Sequence, residues 1–191
     1  MIRLNIREGS SMSAEFPDLL HTLPFQGRVE WIGIAPEKSG EIQPQSEVEI
    51  QQNAGIVGDH HFRLNSRSRR QVTLIQSEHL PAVAAMLRQS PIDPGLLRRN
   101  IVVSGINLAS LHGRSFRIGT AVLRGTGDCI PCDRMEQNLG AGGYAAMLGH
   151  GGLTTIVVES GHVAVGDVVE VLEAKHAVLG EGESAAEKAA K

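Results

Sequence analysis

Cysteine is scarce in this chain: Cys129 and Cys132 are the only two among 191 residues. So small a number excludes a structural disulfide framework, and a spacing of three instead puts metal binding, redox chemistry or nucleophilic catalysis on the list of roles. A basic excess is also missing. The formal net charge is −3, which gives no electrostatic reason to expect nucleic acid or an anionic membrane as a partner. No apolar run approaches the roughly 18–20 residues that cross a bilayer. The stretch from Met1 to Phe16 carries Arg3, Arg7 and Glu8 where a signal peptide has its apolar core, so the expected location is the cytoplasm. No internal repeat is evident. What remains is a soluble-type composition, 41% hydrophobic, in a chain long enough for one domain with a full core.

The first two dozen residues have little periodicity, and 1–24 is expected to form an N-terminal arm. Residues 25–173 read as the folded domain. Arg28 to Ile34 and Glu47 to Gln51 alternate with period two and predict strands, separated by the Ala35-Pro-Glu-Lys-Ser-Gly40 turn. Gly55 to His61 is a glycine-punctuated polar loop. Arg63, Arg67, Arg69 and Arg70 then lead directly into an apolar strand, Gln71 to Ile75. Ser77 is the expected N-cap of a scaffold helix over 78–89, with Pro81 in its first turn and Leu80, Val83, Ala84 and Leu87 on one face. A short helical turn from Pro94 delivers Arg98, Arg99 and Asn100 to a strand at 101–103. Ser115 to Arg124 reads as one strand leading into the cysteine loop, followed by a short helical run at 133–139 and another between Gly142 and Gly149. Thr154 to Glu159 and His162 to Leu172, joined at Ser160-Gly161, read as a terminal hairpin. Beyond Ala174 the composition is too polar to fold alone, and 174–191 is expected to be a flexible tail. About seven short strands with sparse helices predict a mainly β domain, a barrel or sandwich with helical insertions.

The chemistry centres on Arg124-Gly-Thr-Gly-Asp-Cys-Ile-Pro-Cys-Asp-Arg134, which places both cysteines on a turn, where functional residues concentrate. Pro131 fixes its own φ and biases Ile130 toward extended geometry, so the two thiols occupy different environments. Cys132, just ahead of a helix start and of Arg134, is the expected reactive thiol and soft metal ligand. The competing reading makes both cysteines small buried hydrophobes. A structural zinc site needs four ligands, which leaves His150 or Asp128 to complete one; a thioredoxin-like pair needs a βαβ setting that this chain does not show. The arginines are solvated charges by default. Arginine nonetheless binds phosphate bidentately, so Arg63 to Arg70, Arg98 and Arg99, with Lys38 and Asn100, can build a phosphate or pterin pocket beside the thiol. His60 and His61 read first as turn residues.

In order along the chain, Ile34-Ala-Pro-Glu-Lys-Ser39, Gly55-Ile-Val-Gly-Asp59, Arg70-Gln-Val-Thr-Leu-Ile75, Arg99-Asn-Ile-Val102, Phe116-Arg-Ile-Gly119, Cys129-Ile-Pro-Cys-Asp-Arg134 and Val165-Gly-Asp167 resemble the MOSC domain. That family is named for the C-terminal domain of molybdenum-cofactor sulfurase. The resemblance runs from about Val29 to Leu172 and implies a β-barrel like that of the pyruvate kinase barrel domain. It further implies a site for the molybdenum cofactor (molybdopterin), with Cys132 ligating the metal or carrying sulfur. Lys38, Ser39, Arg99 and Asn100 fall where relatives hold the pterin phosphate or line its pocket, and Arg70 and Arg134 belong to the same motifs. His60 stands where many relatives place an arginine. Three functions follow as expectations: an oxidoreductase acting on N-hydroxylated small molecules with a redox partner protein, a carrier of a Cys132 persulfide received from a sulfur donor protein, or a zinc-stabilised binding module. The pyridoxal-phosphate-dependent sulfurase half of the name-giving protein has no counterpart in this sequence.

Overall fold

The computed structural model describes residues 26–172; the expected arm (1–24) and tail (174–191) lie outside them. Among the described residues eleven strands and four short α-helices follow one another, with a 3-10 turn at Leu108–Leu111 between the sixth and seventh strands: β1 (Gly27–Ile34), β2 (Gln43–Gln45), β3 (Glu47–Gln51), β4 (Gly55–Ile56), β5 (Val72–Gln76), α1 (His79–Leu87), α2 (Pro94–Leu97), β6 (Ile101–Ser104), β7 (Ser115–Ile118), β8 (Ala121–Asp128), α3 (Asp133–Leu139), α4 (Gly143–Ala146), β9 (Leu153–Glu159), β10 (Gly161–Ala164) and β11 (Val168–Val171). Seven of the strands close on themselves in the order β1-β11-β7-β8-β9-β5-β6, with β6 returning to β1, so the barrel has no free edge. β2 adds to the far end of β1, and β10, β3 and β4 form a separate three-stranded sheet.

All the barrel pairings are antiparallel except β5 with β6. A parallel pair needs a long crossover, and α1 and α2 supply it. These two strands are apolar on both faces for the same reason. Leu74, Ile101 and Val103 point into the barrel core with Phe116, Leu123 and Val157, while Ile75 and Val102 point outward into a second cluster with Val83, Leu97, Met135, Leu139 and Met147. The helices therefore cover one flank of the barrel. Phe116, fully buried, stabilises the fold by about 1.5–3 kcal/mol through area removed from water alone.

Several local expectations are corrected. Ser77 does not cap α1: the cap position is Glu78, and Ser77 sits in the turn after β5, its N–H bonded to the Val103 carbonyl and its hydroxyl donating to Glu78 Oε2. The stretch 115–124 is a hairpin, with Ile118 opposite Ala121 and Gly119-Thr120 as its two-residue turn. Gly119 has φ +56°, and a Cβ there would overlap Asp167 and the His162 carbonyl. Gly125 to Asp128 belong to β8, not to a loop. The glycines serve a register shift against β9 and the close passage of Gly125 by the Leu111 carbonyl. The terminal hairpin is also overturned. β9 and β10 do not pair, because β10 crosses to β3 while the turn at Gly166-Asp167 sends β11 back into the barrel beside β7 and β1.

Candidate functional site

Five separate segments converge on a cleft of about 250 Å³. The turn after β1 contributes Ala35, Lys38 and Ile42, and the turn after β4 contributes Asp59, His60 and His61. The start of β5 contributes Arg70, Gln71 and Thr73, the α2–β6 junction Arg98 to Asn100, and the start of α3 Cys132, Arg134 and Met135. The lining carries Lys38, Arg70, Arg98, Arg99 and Arg134 against the one carboxylate of Asp59. Among the described residues, none of these five cations has a carboxylate oxygen within ion-pair distance.

The two cysteines part company. Cys129 is 1% exposed and packed inside, whereas Cys132 is exposed at the cleft. Cys132 adopts an extended conformation at the cap position of α3 and its carbonyl accepts from the Met135 N–H. Its thiol makes no capping hydrogen bond. Arg134 leans across to the β1 turn, donating to the Lys38 carbonyl at 3.3 Å and to Ser39 Oγ at 3.0 Å. Ser39 therefore supports the cleft wall through Arg134 and is not itself among the lining residues.

Arg99 and Asn100 line the cleft but spend most of their hydrogen-bonding capacity inside the protein. Arg99 is 3% exposed and donates from Nε to Gly151 O at 2.7 Å, from one terminal nitrogen to Leu97 O at 2.7 Å, and from the other to Cys129 O at 3.4 Å. Burial draws its pKa below the ordinary arginine value. Gly151 and Gly152 must be glycines for this packing, since a Cβ on the first would overlap the Cys129 carbonyl and on the second the Leu74 carbonyl. Asn100 Oδ1 accepts from the Thr73 N–H and hydroxyl, and Nδ2 donates to Gly33 O and Asp59 Oδ2. It ties β5, β1 and the histidine turn together. Arg98 follows in a left-handed conformation, φ 54°, and donates to Gly40 O. Burial first, and the like charge of Arg134 second, draw its pKa down.

Asp59 is the residue that sequence reasoning passed over. Its carboxylate is buried and accepts from the Ala35 N–H at 2.9 Å on Oδ2 and from the His61 N–H at 2.9 Å on Oδ1. Burial by itself raises its pKa, but hydrogen bonds from the His61 ring, Ala35 and the His61 backbone outweigh it and hold the group below the usual carboxylate range. The sequence signal was the Gly58-Asp59 pair at a tight turn; Gly58 has φ +85°. The proposed zinc partners of the cysteines are elsewhere engaged. Asp128 pairs with His112 at 3.0 Å, and His150 sits edge-on to His79 with ring centroids 4.7 Å apart. Among the described residues no group of three metal-ligating side chains includes a cysteine.

A closed seven-stranded barrel with a single accessible thiol at a cationic cleft defines the class: a small mainly β barrel protein with its functional groups on the connecting turns. The chain belongs to the MOSC domain family, which matches residues 57–170. Among solved structures, the YuaD protein of Bacillus subtilis is 26% identical, with a TM-score of 0.68 over 76% of this chain and 95% of that one. YiiM from Geobacillus stearothermophilus (16% identity, TM-score 0.64, 80% and 78% coverage) and YiiM from Escherichia coli (17%, 0.59, 76% and 70%) share the fold. Comparison with curated protein sequences returns no match. Among the described residues no helix is long and apolar enough to cross a membrane.

Proposed function

We propose that the cleft binds the molybdenum cofactor, with Cys132 as the protein's sulfur ligand to the metal. The observation that carries this reading is the placement of the exposed Cys132 in the same cleft as Lys38, Arg70, Arg98 and Arg134, which have no carboxylate partner among the described residues. A soft thiol suits molybdenum, and cations without internal counter-charges suit a phosphate-bearing pterin, so the donor set fits the group. Lys38 and Arg70 donate no side-chain hydrogen bond to a described residue and are the residues for the phosphate. Arg98 and Arg134, each anchored by one or two donors to the β1 turn, retain further N–H groups to orient it. Arg99 and Asn100 act behind them as positioning residues. When bound, the cofactor would supply two-electron redox chemistry at a metal.

The reaction we assign is reduction of N-hydroxylated small molecules, in which the N–O bond breaks, two electrons and two protons are taken up, and water leaves. The electrons come from a redox partner protein. The chain's own residues hold the cofactor and orient it, and Arg134 is at hand as a hydrogen-bond donor to an incoming hydroxyl group, with His60, whose Nδ1 bonds Ala35 O, offering Nε2 as an acceptor. Protein made in a host that synthesises the cofactor should carry molybdenum and show pterin fluorescence, and Cys132→Ser should lose both. Finding neither in the parent protein made this way overturns the reading.

A second reading, sulfur carriage, draws on the same exposure: Cys132 and its neighbour Ile130, 68% exposed, stand open to a docking protein. Incubation with a cysteine desulfurase and cysteine would then add the mass of one sulfur atom to Cys132 and not to Cys129. An unchanged mass removes the carrier reading.

A further inference from the structure

We propose that Asp59, His60 and His61 form a binding site for a first-row divalent transition ion of the zinc class, separate from the Cys132 thiol. Ligand atoms of these three side chains all lie within 4.8 Å of one another. His60 Nδ1 stands 3.5 Å and His61 Nδ1 3.2 Å from the same atom, Asp59 Oδ1. An ion held at roughly 2.1 Å by tetrahedrally disposed ligands separates them by about 3.4 Å. Two edges of the coordination shell therefore already have the spacing of a filled site. The rings lie 3.8 Å apart between centroids and are tilted by 45°, so both turn to one carboxylate oxygen without stacking flat.

The support around these ligands is what metal sites require. Asp59 Oδ2 is fixed by the Ala35 N–H and Asn100 Nδ2, and Oδ1, itself steadied by the His61 N–H at 2.9 Å, is the oxygen that faces both rings. The His60 main chain is anchored by its N–H to Ala35 O at 2.8 Å. Outer hydrogen bonds of this kind fix the orientation of ligating groups. Without an ion, the His60 Nδ1 proton goes to Ala35 O at 3.0 Å and the His61 Nδ1 proton to Asp59 Oδ1 at 3.2 Å. Binding moves each ring proton to Nε2, which no described residue hydrogen-bonds, so two neutral imidazoles take up the ion without net loss of a proton.

Two imidazole nitrogens and one carboxylate oxygen select borderline ions such as zinc or cobalt over magnesium and calcium, which favour all-oxygen shells. Three protein ligands leave at least one position open, as catalytic metal sites do and structural ones do not. Because His60 and His61 line the cleft, that open position faces the space shared with Cys132. The ion would then add a Lewis acid to a site that already has a thiol and cations.

The test uses the full chain, stripped of metal and titrated with zinc alone by calorimetry and with cobalt by visible absorption. One equivalent should bind, magnesium in excess should not compete, and the cobalt spectrum should lack a thiolate charge-transfer band. His60→Ala and His61→Ala should each weaken zinc binding by at least about tenfold, the cost even of removing an outer partner of a metal ligand. Cys132→Ser should leave zinc binding unchanged. Circular dichroism checks each variant, and a variant that does not fold is replaced by the glutamine substitution at the same position. No zinc uptake, uptake indifferent to both histidines, or uptake lost in Cys132→Ser would overturn the site. The last outcome would return the metal to the thiol. Loss of molybdenum in Cys132→Ser with zinc retained keeps the fate of this site distinct from that of the cofactor reading.

Discussion

Only Ile130 and Pro131 separate Cys129 from Cys132, yet the two belong to different regions of the molecule. Cys129 lies in a buried clamp with Arg99, Gly151 and Gly152, where a cation, two close-packed glycines and main-chain carbonyls satisfy one another. Cys132 lies at the cleft, where the cations have no carboxylate partner among the described residues and the thiol makes no capping bond. A buried polar group is held by the cost of leaving it unpaired; a cleft group is held in place by its neighbours and keeps bonding capacity for a ligand. The difference teaches that identical residue types in one motif divide between stability and chemistry, and that substitution should separate the two.

The largest effect is expected in the clamp. Gly152→Ala forces a Cβ onto the Leu74 carbonyl at a residue with φ +86°, and should cost upwards of about 4 kcal/mol, measured by denaturant unfolding. Arg99→Met leaves the Gly151, Leu97 and Cys129 carbonyls short of a donor and should cost about 3 kcal/mol. A loss within the range of an ordinary surface change would break the comparison, because Arg99 would then be a cleft cation after all.

Asp59 stands between the regions, and its effect is read in pH. Its folded pKa lies below its unfolded value, so the stability it contributes is fully present above about pH 4 and is lost as pH falls through the folded pKa. Asp59→Asn should lower stability at neutral pH by about 2 kcal/mol, the scale of charge-assisted hydrogen bonds, and flatten the acid limb of the stability curve. An unaltered acid limb would assign that titration to other carboxylates.

The smallest expected effect on stability is the sharpest test of function. Cys132→Ser should change unfolding free energy by no more than about 0.5 kcal/mol, as for other exposed positions, while abolishing molybdenum binding. Under native conditions one thiol should alkylate readily and the second only on unfolding, since Cys129 is 1% exposed. Equal alkylation of both would mean that the clamp opens and the two regions are not distinct.

Much of this was legible in the residues. Period-two alternation at 28–34 and 47–51 located strands, and the two-sided apolar runs at 72–75 and 101–103 marked buried ones, because hydrophobic periodicity reports which faces meet the core. The motif order from Ile34 to Asp167 led to the family. The structure brings Lys38, His60, Arg70, Arg99, Asn100, Cys132 and Arg134 to one cleft, though they span nearly a hundred positions of sequence.

Other features depended on partners remote in the chain. The hairpin expected at Ser160-Gly161 has sound local turn chemistry, but Gln52 N–H bonds Ser160 Oγ and β10 pairs with β3, so long-range pairing overrode the local signal. Ser77 carries a cap residue type but is held in the turn after β5 by its N–H bond to the Val103 carbonyl. The sequence by itself determined the alternation, the turn after β1 and the choice of Cys132 as the thiol to watch, because those follow from residue type and immediate spacing. Only the tertiary structure decided that Arg99 is enclosed, that Asn100 and Asp59 brace one another, and that His60 and His61 face a shared oxygen. Burial and hydrogen-bond partners are properties of what the closed barrel brings together, and no local stretch of chain contains them.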